Sequence, residues 1–413
     1  MNYLNFPTKE LKSRGGFYTA KEISSQPELW LKTYLRLVKE KDQISKFLRK
    51  VLDKECPYII LTGAGTSAFI GEALVGPFQK KWKAYTRAIA TTDIITHPED
   101  YFMRSRPTLL ISFARSGDSP ESLATVELAD DYCDEIYKLN ITCNKDGELA
   151  LRTRGNNSYV FLLPEETNDK SLAMTSSFTS MLLAGLLILN IQEIEVMLPV
   201  IQKLQELGNY ILRECLPGLK KLTELKFERM VFLGSGPLFG AAHESHLKVQ
   251  ELSNGMVICI YDSFLGFRHG PRAVVNSSTV IVYLLSNNTH VRQYEYDLIK
   301  SVNKVSSGAK YVAIGNNFNA EELHIDLAIQ FPNDASQIPE EFLSVFYVLP
   351  AQIIGCYKSL DLGLSPDSPS ECGSITRVVQ GVKIYPGTSL NKNSADSVIN
   401  GKEAASLLVG KHK

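Results

Sequence analysis

Glu244, Lys248 and Glu251 stand at i, i+4 and i+7 within HESHLKVQELSNGMVICIYDSFLGFRHGP, the stretch from His243 to Pro271. On a helix that spacing lines two carboxylates and an ammonium along one stripe. Beyond an apolar, β-branched run from Met256 to Tyr261, which reads as a strand, His269 sits in a tight Arg-His-Gly-Pro loop. Carboxylate, ammonium and imidazole in one helix-strand-loop unit are the groups that general acid-base catalysis uses to move protons. The same spacing also suits a solvated, salt-bridged helix face, and the three residues alone do not separate the two readings. Leu238, Ala242, Val249 and Leu252 form an adjoining apolar stripe, which predicts a helix half buried against a core.

A second group of residues points to anion binding. Ser112-Phe113-Ala114-Arg115-Ser116-Gly117-Asp118-Ser119 closes an apolar strand, and hydroxyls with backbone N–H groups at a helix start, beside an arginine, suit a phosphate. Gly65, Thr66 and Ser67 end an earlier strand, Tyr58 to Thr62, and run into the apolar helical stretch Ala68 to Trp82. Both loops are expected to converge on the crevice where open parallel sheets bind ligands. Gly63-x-Gly65-x-x-Ala68 formally meets a dinucleotide fingerprint, yet the required acidic residue is not cleanly placed after the second strand, Asp93 being the nearest. No nicotinamide, metal or other cofactor is implied, since H-E-x-x-H, Walker A and G-x-S-x-G patterns are missing.

These loops need a scaffold, and the chain reads as two copies of one. Strands are expected at 58–62, 88–92, 108–112, 135–140 and 159–162, alternating with helices, followed by an apolar helix over 173–189 and an amphipathic one over 194–216. Pro217-Gly218 reads as a linker. The pattern then restarts: Met230 to Leu233 ends in Gly234-Ser235-Gly236 as Ile59 to Thr62 ends in Gly63-Ala64-Gly65, with Asp262 echoing Asp93 and Ser286 echoing Ser112. The expected architecture is α/β: two tandem doubly wound domains with parallel sheets flanked by helices. Their expected limits are 51–216 and 217–386, after an N-terminal helical extension over 1–50 in which Thr19-Ala20-Lys21-Glu22 resembles a capped start, and before a polar tail over 387–413.

Bulk properties exclude other classes. With Lys+Arg 44 against Asp+Glu 45 the net charge of -1 supplies no field toward nucleic acid or membrane. Seven scattered cysteines without a C-x-x-C pair argue against a disulfide framework and for a reduced, cytoplasmic setting. The N-terminus carries no secretory h-region, and the longest apolar run noted, Met181 to Leu189, is too short for a membrane span.

Taken together, GAGTS, ARSGDS, the E-x-x-x-K-x-x-E helix and the later H-G-P resemble the double sugar isomerase (SIS) domain family, which includes the isomerase half of glucosamine-6-phosphate synthase. More closely, TAKEISSQPELW, LISFARSGDSPES, LAMTSSFTSML, FRHGPRAVV and SPSECGSITRVVQGVKIYP resemble its galactosamine-6-phosphate deaminase/isomerase branch, also labelled tagatose-6-phosphate ketose/aldose isomerase; the likeness runs from about Thr19 to Pro386. The resemblance implies that Glu251 is the base between C1 and C2 and that Glu244 and Lys248 support it. It implies that His269 opens the sugar ring from a neighbouring subunit, hence a homodimer or higher homo-oligomer, and that Ser67, Ser116 and Ser119 are the phosphate-loop hydroxyls. Ala114-Arg115 stands where the synthase has Ser-Gln, Met174-Thr175 where it has Ser-Thr, and its C-terminal lysine has no match, Arg377 being nearest by position. The implied reaction converts galactosamine 6-phosphate to tagatose 6-phosphate and ammonia. Isomerisation without deamination, and a non-catalytic sugar-phosphate sensor, are the alternatives. No basic helix-turn-helix segment lies outside the repeats, which speaks against a transcription factor.

Overall fold

The computed structural model describes residues 2–153, 155–305, 307–331, 338–370, 372–379 and 381–385; the expected tail lies outside them. A short hairpin, β1 (Asn2–Tyr3) and β2 (Phe6–Pro7), leads through α1 (Thr8–Ser13) into α2 (Phe17–Leu52). Ile23, Trp30, Leu37, Ile44 and Val51 recur along α2 at seven-residue intervals and are fully buried, so one seam of a long polar helix faces the core. The helix starts at Phe17, which puts Thr19 and Glu22 inside it rather than at a cap. Asp367 instead accepts the backbone N–H groups of Tyr18 and Thr19.

The first sheet comprises β3 (Tyr58–Gly63), β4 (Tyr85–Ala88), β5 (Thr108–Ala114), β6 (Ile136–Thr142) and β7 (Ser158–Leu162). Its helices are α3 (Thr66–Trp82), α4 (Thr91–Ile94), α5 (Pro120–Tyr132) and α6 (Glu148–Arg152). The strand order is β4-β3-β5-β6-β7, all parallel. Residues 88–92, expected as a strand, divide between the end of β4 and the start of α4, where Thr91-Thr92-Asp93 puts an acid in a helical first turn.

α7 (Ser176–Leu189) is buried at every residue and leads to α8 (Leu198–Tyr210) and α9 (Leu216–Thr223). Pro217-Gly218 is not a linker: a π-helical turn over 211–215 joins α8 to α9, and Pro217 occupies a first-turn position whose missing N–H costs no helical bond.

The second sheet repeats the first. It comprises β8 (Arg229–Leu233), β9 (Ile258–Asp262), β10 (Thr279–Leu284), β11 (Lys310–Asn316) and β12 (Leu327–Phe331), with α10 (Pro237–Leu252), α11 (Phe264–Phe267) and α12 (Thr289–Asn303) between them. The order β12-β11-β10-β8-β9 is the first order read from the other edge. Gly65 and Gly236 share one conformation, φ 54 and ψ -129 against φ 56 and ψ -128. Register corrects the finer echoes. Thr62 pairs with Ser112 and Leu233 with Tyr283, so Ser286 corresponds to Arg115 rather than to Ser112.

The chain closes with α13 (Glu340–Tyr347) and α14 (Leu349–Asp361). Glu340–Asp361 is long and apolar enough to cross a membrane, contrary to the expectation from run length, but 94% of its most apolar window is packed inside the protein. α3 and α10, the corresponding helices of the two repeats, pack directly on each other. A Cβ at Gly240 would lie 2.5 Å from the Ala73 nitrogen and 2.8 Å from the Phe69 carbonyl oxygen, so glycine permits the approach.

Candidate active site

The tight turn after β3 sets the first wall. A Cβ at Gly63 would lie 2.6 Å from the Ser67 carbonyl carbon, and Gly65 holds a positive φ that L-residues avoid, so α3 begins at once. Thr66 and Ser67 therefore lie buried at the carboxyl end of the sheet. β5 ends beside them at Ala114, and Arg115 to Ser119 run from it into α5. Ser116 Oγ accepts the Asp118 N–H at 3.2 Å, and Ser119 Oγ donates to Ser122 Oγ at 2.6 Å. Gly65, Ser67, Arg115, Ser116 and Ser119 line one cavity of about 220 Å³.

An adjoining cavity of about 400 Å³ is lined by Thr66, Arg115, Met174, Lys248 and Glu251. Arg115, Met174, Arg377 and Val379 line both. Two of the three charged groups of α10 are far more buried than a half-buried helix implies. Glu244 and Lys248 are wholly enclosed, while the Glu251 side chain stays 22% exposed. The Lys248 ammonium lies 2.5 Å from Glu251 Oε2, donates to Thr66 Oγ1 at 3.1 Å and stands 3.6 Å from Glu244 Oε1. Burial opposes the ammonium, but the two carboxylates outweigh it and hold its pKa above the ordinary lysine value. Burial pushes the Glu244 carboxyl up to about 8 against the pull of Lys248, and neither of its oxygens finds a hydrogen-bond partner among the described residues.

Arg115 is 7% exposed and donates to three backbone carbonyls, of Ser171 at 3.2 Å, Leu172 at 2.9 Å and Arg377. Burial depresses its pKa; Arg377 adds to the effect, and Asp169 and Glu251 oppose it. Arg377, which lines both cavities, commits its guanidinium to the Asp169 carbonyl at 2.8 Å and Asn168 Oδ1 at 2.6 Å. His269 is exposed, at the turn after α11, and does not line either cavity.

Asp169 escaped the sequence reading, and Glu22 entered it only as part of an expected helix cap. The buried Asp169 carboxylate accepts the N–H groups of Thr175 and Ser177, both at 2.8 Å, and so caps α7 beside Met174. No helix-start spacing marks it, since Asp169 lies six residues before the N-cap Thr175 and reaches it only through the fold of the intervening loop. Glu22 binds the same 168–175 loop from α2, a contact no local pattern encodes.

A carboxylate fixed by an ammonium, partly open to a cavity, can take a proton from one carbon and return it to the next. Two helix N-termini with serines and a buried guanidinium line the adjoining cavity, and such groups can hold an anion. The SIS domain profile matches residues 54–191. The chain is 41% identical to the D-galactosamine-6-phosphate deaminase AgaS of Shewanella sp. (strain ANA-3), over 92% of this chain and 94% of that one. It is 37% identical to the AgaS of Escherichia coli O157:H7, over 90% and 96%. Among solved structures, the tagatose-6-phosphate ketose/aldose isomerase of Escherichia coli superposes with a TM-score of 0.81 at 34% identity, over 90% and 98% of the two chains. A Clostridium novyi NT protein provisionally given the same activity superposes with a TM-score of 0.90 at 42% identity, over 94% and 99%. With two SIS-type sheets and such relatives along nearly its whole length, the chain belongs to the SIS-domain family, in the branch of the AgaS D-galactosamine-6-phosphate deaminases.

Proposed function

We propose that this chain is a galactosamine-6-phosphate deaminase that releases ammonia and tagatose 6-phosphate in the cytoplasm. The observation that carries the reading is the junction of the two cavities: Arg115 lines both the serine-rich pocket and the pocket holding Lys248 and Glu251. A phosphate held in the first supplies binding energy remote from the reacting carbons and presents the open-chain sugar to the second.

In this mechanism Glu251 takes the C2 proton of the open-chain 2-amino aldose as the aldehyde oxygen gains a proton, giving an enolamine. Returned to C1 as the amino group gives up a proton, that C2 proton leaves a C2 imine, which water hydrolyses to the ketone and free ammonia. The Lys248 ammonium keeps Glu251 oriented through both transfers, and one carboxylate serving both fits general acid-base chemistry. His269, outside the cavities of its own chain, opens the ring in a partner subunit's site. Isomerisation without deamination is favoured by the name of the Escherichia coli structure, and the same base would perform it on a plain aldose phosphate.

The test is ammonia release and ketose formation measured side by side on galactosamine 6-phosphate, glucosamine 6-phosphate and tagatose 6-phosphate. Ammonia from the galacto substrate is the expected result. Interconversion of tagatose and galactose phosphates without ammonia replaces the deaminase by the isomerase, and silence on all three removes the enzyme reading.

A further inference from the structure

Glu22 lies on α2, away from both cavities, yet two hydrogen-bonded steps connect it to Arg115. Its carboxylate accepts the Lys170 N–H at 2.6 Å and the Ser171 N–H at 3.4 Å, and it bonds the Ser171 hydroxyl. The carbonyls of Ser171 and Leu172, in the same turn, accept the Arg115 guanidinium. Glu22, Ser171 and Arg115 are all buried.

The turn contains a proton-counting problem. Ser171 Oγ is within bonding distance of Glu22 and also 3.1 Å from the Ala173 carbonyl oxygen. A hydroxyl has one proton and a carbonyl can only accept. When Ser171 donates to Ala173, Glu22 must donate to Ser171 and so must itself be protonated. Ionised Glu22 claims the hydroxyl and leaves Ala173, next to the cavity-lining Met174, without that donor.

Asp169 is the charge that acts on Glu22 directly; Arg115 and Arg377 bond carbonyls of the same 168–172 segment, and Asp367 binds Thr19 one turn before Glu22 on α2. Burial first, and the Asp169 charge second, push the Glu22 carboxyl up to about 7. The bonds from Ser171 and from the Lys170 N–H oppose that rise.

We propose that Glu22 is a positioning residue for Arg115: protonated, it lets the Ser171 hydroxyl close on the Ala173 carbonyl across the two carbonyls that hold the guanidinium, and ionised it opens that bond and loosens the guanidinium that meets the phosphate; this rests on the phosphate reading of that pocket. Inorganic sulfate is the probe, because unlike phosphate it does not titrate near neutrality. Wild-type affinity for sulfate is expected to fall about three- to tenfold between about pH 6 and about pH 8, the worth of one hydrogen bond. Glu22→Gln, whose amide donates to Ser171 and whose carbonyl accepts from Lys170, should keep the low-pH affinity at both pH values. Glu22→Ala should bind weakly at both while retaining a cooperative melt.

A Glu22→Gln protein that keeps the wild-type pH slope overturns the proposal, even if Glu22→Ala fails to fold. Wild-type protein that binds no sulfate removes the phosphate reading together with it. Sulfate binding with the expected Glu22 dependence but without ammonia release on sugar phosphates keeps this inference and discards only the deaminase.

Discussion

Between Glu244 and Glu251 the Lys248 ammonium lies 3.6 Å from the first, fully enclosed carboxyl and pairs at 2.5 Å with the second, which stands at the cavity wall. The asymmetry divides the work of two otherwise similar carboxylates. Glu251→Gln should keep the affinity for galactosamine 6-phosphate within about threefold while lowering kcat by about 10²–10⁴, the usual span for a lost general base; titration calorimetry beside the ammonia assay checks it. Unchanged turnover would exclude Glu251 as the base. Glu244, pushed up to about 8, holds its proton at neutral pH, so Glu244→Gln should stay close to wild type at pH 7 and part from it only above about pH 8. The sign for stability follows from the same shift. Between about 4.5 and about 8 the folded chain keeps a proton that the unfolded chain has lost, so this group's contribution declines as pH rises through that window. Glu244→Gln should flatten the decline by up to about 1.4 kcal/mol per pH unit, read from urea unfolding at several pH values. The Glu-Lys-Glu spacing was legible in the sequence, but the burial of Glu244 was not. An identical spacing serves a solvated face, and α3 and α14, which lie far from α10 in sequence, do the enclosing.

At the scale of elements, the site depends on how closely α3 meets α10, since Thr66 belongs to one and Lys248 to the other. Gly240 brings the two backbones together, and on the same faces His243 is sandwiched between Phe69 and Tyr261, with ring centroids at 3.5 and 3.7 Å, while its Nδ1 meets Glu72 Oε2 at 2.8 Å. Gly240→Ala should destabilise the fold by about 1–3 kcal/mol, because the atoms it meets are backbone of α3 and cannot swing aside. It should also lower kcat, because separating the helices lengthens the 3.1 Å bond from Lys248 to Thr66; thermal unfolding and kinetics on one preparation test both effects. A stable, fully active variant would show that the helices can part without moving the site. Strands such as β3 and β5 were readable because buried parallel strands are continuously apolar. Edge strand β12 was not anticipated: LAIQF alternates buried and exposed residues over five positions, too short a signal to stand out. Pro217 misled for a different reason, since proline both ends helices and begins them, and only the preceding π-helical turn shows which it does here.

For the whole molecule, one repeat carries the serine- and arginine-lined cavity proposed for the phosphate, and the matching position of the other is filled with the chain's own acids. Ser286 stands where Arg115 would, its backbone N–H bonded to Glu295 and its hydroxyl to Glu340. The motifs told the repeats apart, because Arg115-Ser116-Gly117-Asp118-Ser119 has no counterpart after β10, but of the acids that occupy the second position Glu295 comes from the next helix and Glu340 from an element 54 residues away. The candidate site has Glu251 in its wall, and His269 is exposed elsewhere on the chain. If His269 serves the partner's site, neither Glu251→Gln nor His269→Ala homodimers can turn over, yet a mixed dimer regains one complete site from the intact Glu251 of one subunit and the intact His269 of the other. Equal mixing with free subunit exchange makes half the dimers mixed, and activity should return to about a quarter of wild type. Were His269 to act within its own chain, every site in the mixed dimer would lack one group and mixing would restore nothing. An active His269→Ala homodimer would remove the histidine from the reaction altogether. Light scattering on each variant separates a lost assembly from a lost group, so the recovered activity reads directly whether the site is built by one chain or by two.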